Sequence, residues 1–136
     1  MSAVVVDASI VAAWLLNEHD GEAFERLLLD VGEQPLAVPA VWASEVGNVL
    51  VVAERRGRLS PAELSRASEL VAALEVEVDP VVPARVLGSV VPLARERHLS
   101  VYDASYLELA MRLGLTLASL DSRLANAAAA AGVSVR

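Results

Sequence analysis

Four carboxylates stand where side chains can do chemistry. Asp7 directly follows the apolar run Val4-Val5-Val6. Glu45 lies inside Val41-Trp42-Ala43-Ser44-Glu45-Val46-Gly47-Asn48. Asp103 follows Val101-Tyr102, and Asp121 comes two residues after Ser119. Carboxylates brought together by a fold repel one another and raise each other's proton affinity, and a bound divalent cation relieves that repulsion. The chain has no cysteine and only two histidines, His19 and His98, which form no H-x-x-x-H pattern. An all-oxygen donor set of this kind suits Mg²⁺ or Mn²⁺, not zinc or copper.

Each acid also has a plainer reading. Asp7, Asp103 and Asp121 all precede helical patterns, and an N-cap is worth about 1 kcal/mol. Glu45 is mid-helix, where capping cannot account for it. It shares a face with Val41, Asn48 and Val52 by the i, i+3, i+4 rule. An ionised carboxylate on an apolar stripe needs either a metal or an arginine from elsewhere in the fold. Asn48, one turn on, either orients Glu45 or a water, or satisfies itself locally.

Short apolar segments must position these acids. Residues 3–6 read as a buried strand, 36–38, 76–78 and 115–119 as further strands, and 133–135 as a last one. Helical patterns run over 9–16, 22–29, 41–56, 84–97, 103–113 and 121–131. Pro39 sits where a helix commonly begins, and Gly57, Gly114 and Gly132 mark helix stops. Ser60-Pro61-Ala62-Glu63 is a capping box with proline at the first helical position. Pro92 should kink or divide the 84–97 helix. Strands alternating with helices imply a parallel sheet covered on both faces.

Composition narrows the chemistry further. All 11 basic residues among the 136 are arginine, so there is no lysine for a P-loop, a Schiff base or a kinase site. Eighteen acids give a net charge of −7, which is poorly suited to holding phosphates. A metal or a local arginine patch would have to offset it. Arg55, Arg56 and Arg58 form one such cluster and Arg95 with Arg97 another, although arginines at helix ends are also ordinary solvated groups. At 55% hydrophobic the chain can fill a core. Its longest run without a charged residue, 124–135, is 12 residues, too short to span a bilayer. The chain is expected to be a whole, soluble, cytoplasmic protein with no membrane role. Trp14 and Trp42 are expected in the core, and Glu108 is expected as a solvated helix residue.

Four blocks in order, Val4-Val5-Val6-Asp7-Ala8-Ser9, Pro39 through Asn48, Tyr102 through Ala110 and Leu117 through Leu124, resemble a PIN-domain ribonuclease. They are most similar to the VapC-type toxins of bacterial toxin–antitoxin pairs, over essentially the whole chain. The resemblance implies a three-layer α/β/α fold with a short central parallel sheet and one nuclease domain over 1–136. It implies that Asp7, Glu45, Asp103 and Asp121 bind Mg²⁺ or Mn²⁺ and carry catalysis. Ser9 and Ser119 fall where the family often has a small hydroxyl beside the metal; Thr is commoner at 119 and an aromatic at 124. The expected reaction is hydrolysis of an RNA phosphodiester, leaving 5′-phosphate and 3′-hydroxyl ends. The implied partners are RNA, a cognate antitoxin and a second copy in a homodimer.

Competing readings are an RNA-processing nuclease of the same fold without a toxin role, and a metal-free RNA- or protein-binding module. A phosphoaspartyl phosphatase would need a second aspartate at position 9, where the chain has serine. Both that class and receiver-type switches resemble proteins that use a lysine this chain lacks.

Overall fold

The computed structural model describes Ser2 and residues 4–136. Four parallel strands form one sheet: β1 Val4–Val6, β2 Leu36–Pro39, β3 Val76–Asp79 and β4 Thr116–Ala118, in the order β3-β2-β1-β4. The valine run of β1 is fully buried because it is a central strand, with Val4 opposite both Leu36 and Thr116. Position 3 of the expected first strand lies outside the described residues. β3 is an edge strand and is only partly buried.

The helices are α1 Ala8–Leu15, α2 Glu22–Val31, α3 Trp42–Arg55, α4 Pro61–Ala72, α5 Pro83–Arg85, α6 Val91–Arg97, α7 Val101–Leu113 and α8 Ser122–Ala130. α7 lies across β1, β2 and β4 with α6 and α8 against it, while α1 packs on α2 and α3, and α3 on α4. The result is the expected three-layer α/β/α arrangement. Its core joins Phe24, Leu36, Val38, Leu107, Leu109, Leu117 and Leu124 to the β1 valines. Each such side chain, fully buried, contributes about 1.5–3 kcal/mol of transfer free energy.

The capping box at α4 forms as written: Glu63 N–H donates to Ser60 Oγ and Ser60 N–H to Glu63 Oε1. Several boundaries differ from expectation. Pro39 ends β2 and does not open a helix; α3 begins three residues later. The segment around Pro92 neither breaks nor stops. A π-helical stretch, Val86–Val90, joins α5 to α6, and Pro92 sits in the first turn that follows. Proline removes one helical donor, and a change of hydrogen-bond period just before it keeps the chain helical. The expected strand at 133–135 is reduced to a single parallel bridge, Leu117 to Val135. Trp42 is a core residue, whereas Trp14 is half-buried and packs on Phe24 with ring centroids 5.0 Å apart. Among the described residues no helix is long and apolar enough to cross a membrane.

Candidate active site

Parallel strands expose their carboxyl ends on one side of a sheet, where the following loops can meet. β1 and β4 are neighbours, and their ladder extends one residue past β1, with Asp7 N–H donating to Ala118 O at 3.0 Å. That register sets Asp7 beside Ser119. Asp7 is 4% exposed and occupies the N-cap position of α1, yet its side chain does not cap the helix. Its Oδ2 instead accepts from Ser9 Oγ at 2.7 Å and from Ser119 Oγ at 2.6 Å. Each serine is held in turn: Leu120 N–H donates to Ser9 Oγ and Asp121 N–H to Ser119 Oγ, both at 3.0 Å. Two hydroxyls therefore transmit the backbone of the β4–α8 connection to a carboxylate more than a hundred residues away.

Asp121 does cap its helix. Its Oδ1 accepts from Arg123 N–H at 2.9 Å and Leu124 N–H at 3.2 Å. Asp103 does not. The N-cap of α7 is Ser100, whose Oγ accepts from Asp103 N–H at 3.0 Å, so the helix starts at Val101 and Asp103 falls within its first turn. The cap expected at position 103 thus belongs three residues earlier, and the Asp103 carboxylate is released from that duty. Burial raises its proton affinity first, then the charges of Asp121 and Asp7, with Ser100 and Arg123 acting the other way.

Glu45 is half-buried on α3. Its face, shared with Val41, Asn48 and Val52, borders the core, and the fully buried stripe is the neighbouring one of Trp42, Val46, Leu50 and Ala53. Among the described residues it forms no ion pair with arginine. Its Oε1 accepts a 2.7 Å hydrogen bond from Tyr106 Oη. Burial pushes the Glu45 carboxyl above its ordinary range; the Tyr106 bond lowers it, and the charges of Asp7 and Asp103 raise it. Asn48 is exposed and makes no hydrogen bond to Glu45 among the described residues.

Four acids from four parts of the chain thus lie within one electrostatic field. Carboxylates with serine hydroxyls beside them are donors of the kind that would suit a hard dication, and such an ion would offset their mutual repulsion. Among the described residues, however, no group of three His, Cys, Asp or Glu side chains is arranged to hold a metal ion.

Tyr106 was not among the residues singled out by sequence. A signal was available: it follows Asp103 by three residues, which places both on one face of a helix, and a buried phenol needs a partner for its hydroxyl. Glu108 departs from the solvated role expected of it. It accepts from Arg112 Nε at 2.8 Å, and the same guanidinium reaches Asp79 at 2.7 Å, tying α7 to the end of β3. Of the arginine clusters, Arg55, Arg56 and Arg95 are exposed, Arg58 pairs with Glu18 at 3.3 Å, and half-buried Arg97 lies 4.0 Å from Glu96.

Comparison with known proteins identifies the family. Residues 4–130 match the family profile described as the PIN domain. Ribonuclease VapC3 of Pyrobaculum aerophilum is 36% identical over 127 residues, covering 90% of this chain and 92% of that protein. The crystal structure of PAE2754 from Pyrobaculum aerophilum superposes with a TM-score of 0.75 at 30% identity, over 98% of this chain and 83% of the other. A more distant neighbour in fold is VapC20 of Mycobacterium tuberculosis, described as a sarcin–ricin loop cleaving toxin. It has a TM-score of 0.67 at 18% identity and covers 96% of each chain. With the matched span running from the first strand to the last helix, the chain belongs to the PIN-domain family, among its VapC ribonucleases.

Proposed function

We propose that this chain is a Mg²⁺- or Mn²⁺-dependent endoribonuclease, the toxin of a toxin–antitoxin pair, with residues 1–136 acting as one nuclease domain. The observation that carries the reading is the buried Asp7, held by Ser9 and Ser119 and electrostatically coupled to Glu45 and Asp103. In this reading Asp7, Glu45, Asp103 and Asp121 hold the cation. When bound, Mg²⁺ or Mn²⁺ supplies Lewis acidity toward a phosphate oxygen and makes a water more acidic.

The remaining work falls to the chain itself. Ser9 and Ser119 fix the rotamer of Asp7, so the buried carboxylate enters the reaction already oriented. Asp121 is held by its own helix N-terminus. Asp103 is half-buried, and burial with the charges of Asp121 and Asp7 raises its proton affinity. In this reading exposed Arg123, whose charge acts on Asp103, meets the RNA backbone.

A cognate antitoxin would silence the site by offering a guanidinium to these carboxylates, which bind it bidentately. The same reading takes the working form to be a cytoplasmic homodimer. The test is cleavage of total cellular RNA by purified protein with Mn²⁺, with the ends of the products mapped. Cleavage leaving 5′-phosphates, abolished by a chelator and by Asp7→Ala, supports the reading. Cleavage that survives both overturns it. Growth arrest on induction, relieved by a co-expressed partner, is the expected cellular result.

A further inference from the structure

We propose that Tyr106 is a positioning residue of this site, holding Glu45 by one carboxylate oxygen so that the other is left for the cation. The inference rests on the metal-dependent reading above and adds to it a residue outside the acidic set.

Three observations support it. The phenol is fully buried, so its hydroxyl has no access to solvent and no freedom to seek another partner. Its bond to Glu45 Oε1 is 2.7 Å, a well-formed O–H···O hydrogen bond. The bond also joins elements with different packing partners, since α3 packs on α1 and α4 whereas α7 packs on the sheet. Asp103 lies one turn before Tyr106 on α7, so a single rigid helix both presents one carboxylate of the site and fixes a second.

A long glutamate has three rotatable bonds, and restricting them before the ion arrives removes an entropic cost of binding. Groups that orient metal ligands in this way typically set affinity by about 10–100-fold.

The experiment is calorimetric titration of Mn²⁺ into wild type, Tyr106→Phe, Glu45→Ala and the double variant, with the melting temperature of each metal-free protein measured alongside. Tyr106→Phe is expected to weaken Mn²⁺ binding by about 10-fold or more. In the Glu45→Ala background it is expected to weaken it no further, because the hydroxyl acts through that carboxylate. A merely structural hydroxyl would lower the melting temperature and leave Mn²⁺ affinity unchanged, which overturns the proposal. An equal loss in both backgrounds overturns it too. Wild type that binds no Mn²⁺ overturns the reading of the site itself, a result distinct from either.

If Tyr106→Phe does not fold, Tyr102→Phe leaves Tyr106 as the chain's one tyrosine, and exposed Tyr102 tolerates the change. Mg²⁺ binding should then produce a tyrosine difference spectrum in the near ultraviolet. Bound Mg²⁺ with no such difference overturns the proposal.

Discussion

Asp7, Asp103 and Asp121 stand at or just inside the starts of three helices, and only Asp121 spends its side chain on capping. Ser100 frees Asp103 from that task, and the Ser9 and Ser119 hydroxyls draw Asp7 away from it. Ser119→Ala should therefore reduce cleavage by about 10-fold or more while leaving the chain folded, as loss of an outer partner does at metal sites; steady-state cleavage at saturating Mn²⁺ checks this. The raised proton affinities of Glu45 and Asp103 carry a pH signature in the metal-free protein. Between the ordinary carboxylate range and the raised folded value, the folded chain binds more protons than the unfolded one, so stability falls as pH rises through that window. The penalty persists at neutral pH and vanishes below the ordinary range. Glu45→Gln and Asp103→Asn should then raise the metal-free melting temperature at pH 7 by about 2 °C, a small gain because solvent reaches both groups. The gain should disappear in acid, as scanning calorimetry at both pH values would show.

Among the elements, α7 contributes most to the site, carrying Asp103, Tyr106 and the Glu108–Arg112 link to Asp79. Its start is set by Ser100. Ser100→Ala should cost about 1 kcal/mol of stability and also lower cleavage, because the first turn that it anchors holds Asp103. Ser60→Ala, which breaks the capping box of α4, should lower the melting temperature and leave cleavage unchanged; the pair separates loss of a helix cap from loss of a site. The capping box was legible because its partners are three residues apart. Ser100 was passed over in favour of Asp103 because both are good cap residues and local spacing does not choose between them. At Pro92 the sequence showed that the helical hydrogen-bond pattern must change. Whether by a break, a kink or the π stretch depends on what the flanking turns pack against, Val90 and Ala94 both being buried.

At the scale of the molecule, a net charge of −7 opposes RNA phosphate, and under the proposed function a cation would offset it at the site. Mn²⁺ should raise the melting temperature by mass action, corresponding to about 2.7 kcal/mol at a hundredfold excess over Kd. Asp7→Ala should abolish that shift, and a thermal-shift titration decides it. The amino-acid sequence by itself determined the alternation of strands and helices and offered the four acids as candidates, because hydrophobic period, turn residues and donor chemistry are local properties. Tertiary structure decided which oxygens of Asp7 and Glu45 are engaged and by what. Ser119 reaches Asp7 only because β1 and β4 are neighbours in register, and Tyr106 reaches Glu45 only because α7 crosses the sheet that α3 flanks. Those pairs are separated by 112 and 61 residues, and the packing that brings them together is a property of the whole core.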